Sequence, residues 1–311
     1  MSVKGKIPNV VQHITENRGK DYAGGTDCVI IGLPGCGKTS ALAQLALLNW
    51  KKHKDIVIWR NSSDCQFSFF RNFPEHVPLR LWLRNEVSMN IIDRKKGTSP
   101  MLMDVFDDVK GWHNVHELVR KIDNNYINIV QTSPYSATDS NKHLLFAHDW
   151  IKIIEELNVR MNPNNVSIYF DEIEDMVPDG AAGRGFYDVE MSMSSMIRKN
   201  RKNDISLYMA AHYFMDIHWR IAKKIRYRIY MKGASIPKGS KVISATRLSP
   251  GAAFIEGGGL YQPFSFEYLG EEHKLRATLE VTDADYANLV KAYYSRRALK
   301  HSTKAIKNFL K

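Results

Sequence analysis

Gly32-Leu33-Pro34-Gly35-Cys36-Gly37-Lys38-Thr39 decides how this chain is read. The eight residues fit G-x-x-x-x-G-K-[ST], and their flanks supply the context that separates a phosphate-binding loop from a chance match. Cys28-Val29-Ile30-Ile31 before the loop predicts a short buried strand. Ser40 to Trp50, with Ala41, Leu42, Leu45, Leu47 and Leu48, predicts the helix after it. Glycines let the backbone fold around an anion and point successive N–H groups inward at the positive end of that helix. The expectation is a nucleoside triphosphate held by Gly32, Leu33, Pro34, Gly35, Cys36, Gly37, Lys38, Thr39 and Ser40. Lys38 would reach its β- and γ-phosphates, and the Thr39 hydroxyl would ligate Mg²⁺.

A phosphate loop of this kind needs an acid from another strand, and Val166-Ser167-Ile168-Tyr169-Phe170-Asp171-Glu172 offers two. An apolar strand ending in acids is a weak signal alone and a strong one beside the loop. From a strand next to the loop, Asp171 is expected to hold the Mg²⁺ through water. Glu172 is expected to orient and deprotonate the attacking water.

Composition sets the outer limits. A chain of 311 residues with 44% hydrophobic and 25% charged residues is that of a soluble globular protein, large enough for one α/β domain with additions. No apolar run approaches the twenty or so residues of a membrane span. Met1 to Lys20 is polar and broken by Pro8, which argues against a signal peptide. Cys28, Cys36 and Cys65 have no metal-ligand spacing, and a reducing, cytoplasmic compartment is expected.

The net charge is +11 and clustered: Arg198, Lys199, Arg201 and Lys202; then Arg220, Lys223, Lys224, Arg226, Arg228 and Lys232; then a C-terminal tail from Lys291 to Lys311 with no acid after Asp285. Polyanions such as DNA suit such a surface, and a solvated basic face that maintains solubility suits it equally.

Taken in order, residues 1–26 form an N-terminal extension, 27–235 the core with an insertion at about 61–141, and 236–311 a β-containing region with a basic helical tail. Asp55 to Arg60 reads as a second strand closing a βαβ unit with the first. Leu79 to Leu83 and Tyr126 to Val130 read as strands, Asp93 to Gly97 as a charged turn, and His113 to Asp123 and His143 to Met161 as helices. Pro178 to Gly185 reads as a flexible loop. Phe186 to Asn203 reads as a helix with Val189, Met193, Met196 and Ile197 on one stripe, Arg198 opposite it and Arg201 at its flank. Ile205 to Ala211 predicts a buried strand ending at His212. A short helix around Ile217 to Ile225 would lead to an outer strand, Tyr227 to Met231. Phe264 to Tyr268 and Leu275 to Val281 look like β pieces, and Thr282 to Asp285 caps a final helix.

This order resembles the HerA/FtsK superfamily of DNA-pumping ATPases, which includes viral packaging ATPases and the zonula-occludens-toxin-like proteins of filamentous phages. The matching region is about Cys28 to Lys232, interrupted between Arg60 and Asn141. The resemblance implies a RecA-like α/β core with a mainly parallel sheet flanked by helices. It also implies a homo-oligomeric ring of five or six subunits, ATP and Mg²⁺ as cofactors, and DNA gripped without regard to sequence. The work would be packaging or moving a viral or mobile-element genome, in the host cytoplasm or on the virion, with a capsid or portal-like partner. Family members carry an arginine just before the strand that follows the Asp-Glu strand, and it serves a neighbouring subunit's ATP. Arg201 fits that position best and Arg198 second. The family strand commonly ends in Thr-Gln, the Gln sensing the γ-phosphate. Here the pair is Ala211-His212, so His212 is either a sensor or an ordinary strand-end histidine.

Two rival jobs stay open: an NTPase of zonula-occludens-toxin type, acting in virion extrusion with a membrane partner, and a module that binds ATP without turnover. Other phosphate-loop classes fit less well. Asn141-Lys142-His143-Leu144 lacks the Asp of guanine recognition, and Leu248-Ser249-Pro250-Gly251 is not the transporter signature.

Overall fold

The computed structural model describes residues 14–15, 25–135, 139–160, 162, 164–176, 184–242, 244–267, 269, 275–282, 284–291 and 295. Of the expected 178–185 loop, residues 178–183 lie outside them, as do nearly all of the N-terminal extension and the tail beyond Ser295, while residues 184–185 open a helix.

Twelve strands are present among the described residues: β1 Asp27–Ile31, β2 Ile56–Arg60, β3 Leu79–Arg84, β4 Val87–Asp93, β5 Asp108–Trp112, β6 Ile127–Gln131, β7 Val166–Phe170, β8 Ile205–Ala211, β9 Tyr227–Met231, β10 Ala252–Gly257, β11 Leu260–Ser265 and β12 Leu275–Val281. The helices are α1 Lys38–His53, α2 Leu102–Val105, α3 Val115–Lys121, α4 Ser140–Val159, α5 Arg184–Lys202 and α6 Trp219–Ala222. No described helix is long and apolar enough to cross a membrane.

Ten strands make one sheet in the order β11-β10-β9-β1-β8-β7-β2-β6-β3-β5. From β9 to β5 every neighbouring pair is parallel. The β10–β11 hairpin adds antiparallel at one edge. The central strands β1, β2, β6, β7 and β8 are buried along their whole length. That is why they read as unbroken apolar runs: a parallel sheet is covered on both faces. Successive residues of one strand enter different cores. Ile31, Phe170 and Met209 face Trp150, Ile154, Met193 and Met196 of α4 and α5. Ile30, Tyr169 and Tyr208 face Leu42 and Leu45 of α1. On this second face Trp59, Tyr169 and Tyr208 stand opposite one another on β2, β7 and β8. Their rings stack at 5.7 Å and 4.9 Å, which locks the register at the sheet centre.

Three features depart from the sequence reading. First, β1 and β2 do not pair; β8 and β7 lie between them, so the predicted βαβ unit spans four strand positions. Second, β7 is not beside the loop strand, because β8 separates them. Third, β9 is no outer strand: β1 covers one side and β10 the other. That cover comes from residues 252–265, a long-range pairing that local pattern does not carry. The short helix expected around Ile217–Ile225 is a single turn, α6, preceded by a 3₁₀ turn at Phe214–Asp216. Of the 61–141 stretch, β3, β5 and β6 join the main sheet, while β4 pairs with β12 in a separate two-stranded sheet.

Candidate active site

Because the eight strands are parallel, their carboxyl ends share one edge, and charged and polar groups gather there. At such an edge ligands bind in open α/β sheets. The loop leaves β1 at Gly32 and enters α1 through Gly37, whose φ of 102° is left-handed. Gly35 (φ 74°) is a second left-handed position, and a Cβ there would meet only open space. At Gly32 a Cβ would lie 2.6 Å from Cys36 Sγ and 3.1 Å from Met231 Cβ, so the first glycine is needed for close packing. Leu33 N–H donates to the Lys232 carbonyl, tying the loop to the end of β9 at 3.1 Å. The first-turn N–H groups of α1 have no acceptor within the helix and, with the dipole, favour an anion.

Lys38 is nearly buried. Its Nζ donates to the carbonyls of Gly32 (2.8 Å) and Leu33 (3.2 Å) and lies 3.2 Å from Nδ1 of His212. His212 reaches it because β8, whose end it occupies, runs between the loop strand and the acid strand. On its other side His212 Nε2 stands 3.7 Å from Glu172 Oε1. The histidine that ends this strand therefore sits between Lys38 and Glu172.

Thr39, in the first turn of α1, donates from Oγ1 to Asp171 Oδ2 at 2.6 Å. Burial raises the Asp171 carboxyl, while the Thr39 hydrogen bond and the Lys38 charge pull it back down. Two hard oxygens converging from separate elements fit Mg²⁺, which takes one or two protein ligands and completes its shell with water and phosphate. Thr39 and Asp171 would hold the ion, which would neutralise charge on the β- and γ-phosphates.

Glu172 has a left-handed backbone (φ 61°, ψ 66°), unusual for a residue with a Cβ. Its carboxyl is pushed up to about 7, first by burial and then by the charges of Asp171 and Asp175. A carboxyl poised near neutrality is matched to proton transfer.

Several members of this site were not singled out from sequence. Arg60, at the carboxyl end of β2, is buried; it donates to the Asp171 carbonyl, to the Glu172 carbonyl at 3.2 Å, and to Asp175 Oδ2. It also lies 4.9 Å over the Phe146 ring. One guanidinium thus fixes the turn that holds both acids, a use of its planar fork that an ammonium cannot copy. Glu174 accepts the His212 backbone N–H at 3.1 Å, and burial pushes its carboxyl to about 7. The available signal was a lone arginine closing the run Ile-Val-Ile-Trp-Arg, and four acids in the five residues 171–175.

Arg198 and Arg201 are elsewhere. Arg201, in the last turn of α5, lies 3.6 Å from the buried carboxylate of Asp27, at the amino end of β1. Arg198 is exposed on α5. Neither meets the phosphate loop of its own chain, because β1 runs its full length between Asp27 and the loop.

Together these features define a phosphate-loop NTPase fold of RecA-like architecture, with the acid strand one place removed from the loop strand. No protein-family model and no curated protein sequence matches the chain. Among solved structures it is similar to the genome-packaging NTPase B204 of Sulfolobus turreted icosahedral virus 2 bound to ATP-gammaS, at 12% identity and TM-score 0.44, covering 79% of this chain and 98% of that one. It is also similar to VirB4 of Thermoanaerobacter pseudethanolicus (11%, TM-score 0.49, 80% and 91%) and to the pCW3 conjugation coupling protein TcpA (14%, TM-score 0.41, 80% and 62%). At these identities the likeness is one of fold.

Proposed function

We propose that this protein is a HerA/FtsK-type ATPase that hydrolyses ATP and couples it to movement of DNA, packaging or transferring a viral or mobile-element genome as a ring of identical subunits. The observation that carries turnover, as opposed to binding alone, is the line Lys38–His212–Glu172 beside the Thr39–Asp171 pair. A cation for phosphate, an acid–hydroxyl pair for the metal and a second carboxyl near pKa 7 are set within one edge of the sheet.

In this reading Lys38 and the loop N–H groups grip the phosphates. Glu172 aligns a water and accepts its proton, and Arg60 holds the turn that aims it. His212, between the phosphate-binding lysine and the base, reports which phosphate is present, a role supported by its contacts to both. Phosphoryl transfer needs positioning and charge neutralisation more than covalent chemistry, and these groups supply both. Arg201, or Arg198 as the second choice, acts on a neighbouring subunit's nucleotide. DNA is the partner of the basic surface.

The test is phosphate release measured with and without DNA. Lys38→Ala is expected to abolish nucleotide binding or turnover. Glu172→Gln should bind ATP yet lose about 10²–10⁴ in rate. Near-normal hydrolysis by Glu172→Gln would remove Glu172 from the role of base, and DNA-independent hydrolysis together with no DNA binding would remove the motor.

A further inference from the structure

Between His212 and Lys232 stand five lysines and arginines against one acid, Asp216, and the fold sorts these cations into two sets. Lys224 points inward, donating to the carbonyl and hydroxyl of Ser194. Arg226 lies 5.2 Å from the ring of the buried Tyr227, and its charge opposes the upward shift of the Asp27 carboxyl. Arg220, Lys223 and Arg228 instead stand beside rings that reach the surface. The Arg220 guanidinium lies 5.5 Å from the Tyr187 ring and 5.2 Å from Trp219. The Lys223 ammonium lies 4.5 Å from Trp219, and Arg228 lies 5.2 Å from Phe214. Trp219 is 53% exposed and Tyr187 51%, on two elements, α6 and α5, that pack together. Beside them Phe214, Trp219, Lys223, Arg228 and Lys238 line a cleft of about 310 Å³.

Large rings left in water with cations beside them need a partner that rewards both. An acidic peptide would satisfy the cations and leave the rings idle. A second copy of this chain, with its net charge of +11, would bring like charge against Arg220 and Lys223. Duplex DNA offers phosphates, but its base faces are covered by its own stacking. An unpaired strand offers a flat base face and a phosphate at every nucleotide, the combination that ring-and-cation surfaces bind.

We propose that the surface formed by Tyr187, Phe214 and Trp219 with Arg220, Lys223 and Arg228 binds single-stranded DNA, its bases stacking on the exposed rings and its phosphates pairing with the cations. This rests on the DNA-motor reading above and narrows it to a track with accessible bases. The patch begins two residues beyond His212, so strand grip and nucleotide state meet on one stretch of chain.

The experiment measures binding of a labelled oligothymidine, and of a duplex of equal length, by fluorescence anisotropy. It uses the wild type, Trp219→Ala, Tyr187→Ala and Trp219→Phe, with DNA-free ATPase activity and oligomer size checked for each. Trp219→Ala is expected to weaken the oligothymidine by about 5- to 150-fold, the effect of losing one stacked base. Trp219→Phe should keep most of the affinity, duplex binding should change far less, and DNA-free ATPase activity should stay at the wild-type level. Oligothymidine affinity unchanged in both alanine variants would overturn the proposal while leaving the motor intact. So would a Trp219→Ala protein that loses its oligomeric state but binds the strand normally, or one whose only loss is affinity for poly-glutamate. A wild type that binds neither DNA form would overturn the motor reading itself.

Discussion

Asp27 opens β1 with a side chain that is wholly buried, and neither carboxyl oxygen accepts a hydrogen bond from the described residues. Burial pushes its pKa from 3.8 to about 7, against the smaller opposing pull of Arg201 and Arg226. The neighbouring Cys28 thiol is itself raised, by burial and by Asp27. Between pH 3.8 and about 7 the native state therefore holds a proton that the unfolded chain has released. Stability contributed by the protonated form is fully present below the lower value and is lost as pH rises through the upper one. Roughly three pKa units correspond to about 4 kcal/mol. Asp27→Asn keeps the shape and removes the titration. Its thermal unfolding should match the wild type near pH 4 and exceed it at pH 8 by roughly 4–8 °C. Glu172 and Glu174, whose carboxyls are also pushed to about 7, add a slope of the same sign to both proteins and cancel in the difference. Circular dichroism melts of the two proteins across pH provide the measurement. A Tm difference that is constant with pH, or a variant less stable than wild type at pH 8, would refute the reasoning.

Gly32→Ala should weaken nucleotide binding and cost about 1–3 kcal/mol, since its methyl would strike Cys36 Sγ and Met231 Cβ; a partial recovery in Gly32→Ala/Cys36→Ala, followed by calorimetry, would tie the loss to that contact. Arg60→Met should destabilise by about 3–5 kcal/mol, because it strands the Asp175 carboxylate. Arg60→Lys should recover stability more than turnover, as urea melts and phosphate release would show, since only the fork spans the Asp171 and Glu172 carbonyls. Mixing inactive Arg201→Ala with inactive Lys38→Ala subunits should restore part of the ATPase activity if Arg201 works across a subunit boundary; no recovery despite proven subunit exchange would assign it to Asp27 or to the DNA track.

What the chain disclosed in advance, and what it withheld, divides along the range of the interactions involved. The loop, β7 and β8 were legible because their signals are local: a glycine pattern, and runs buried on both faces that need no alternation. Tyr227–Met231 is a run buried everywhere but at Arg228, yet its place in the sheet depends on residues 252–265, and glycines flanking Ala252–Gly257 disguise that hairpin. β5 was missed because Asp108-Val-Lys-Gly-Trp lies at the sheet edge, where charges and a glycine are tolerated and apolar pattern fades. The site follows the same division. Lys38, Thr39, Asp171 and Glu172 announce themselves through short motifs. Arg60 does not, since a charge at a strand end is ordinarily a solvated one; only the strand order, with β2 beside β7, turns it into the buried clamp of the acid turn. His212 stands between these cases. Its identity departed from the expected glutamine, and sequence left its role open. The insertion of β8 between β1 and β7 puts any residue at position 212 between the phosphate loop and the acids. The position is thus imposed by topology, and the side chain that fills it decides what can be sensed there. A glutamine would offer an amide donor and acceptor, whereas histidine sets its two ring nitrogens between a lysine and a glutamate.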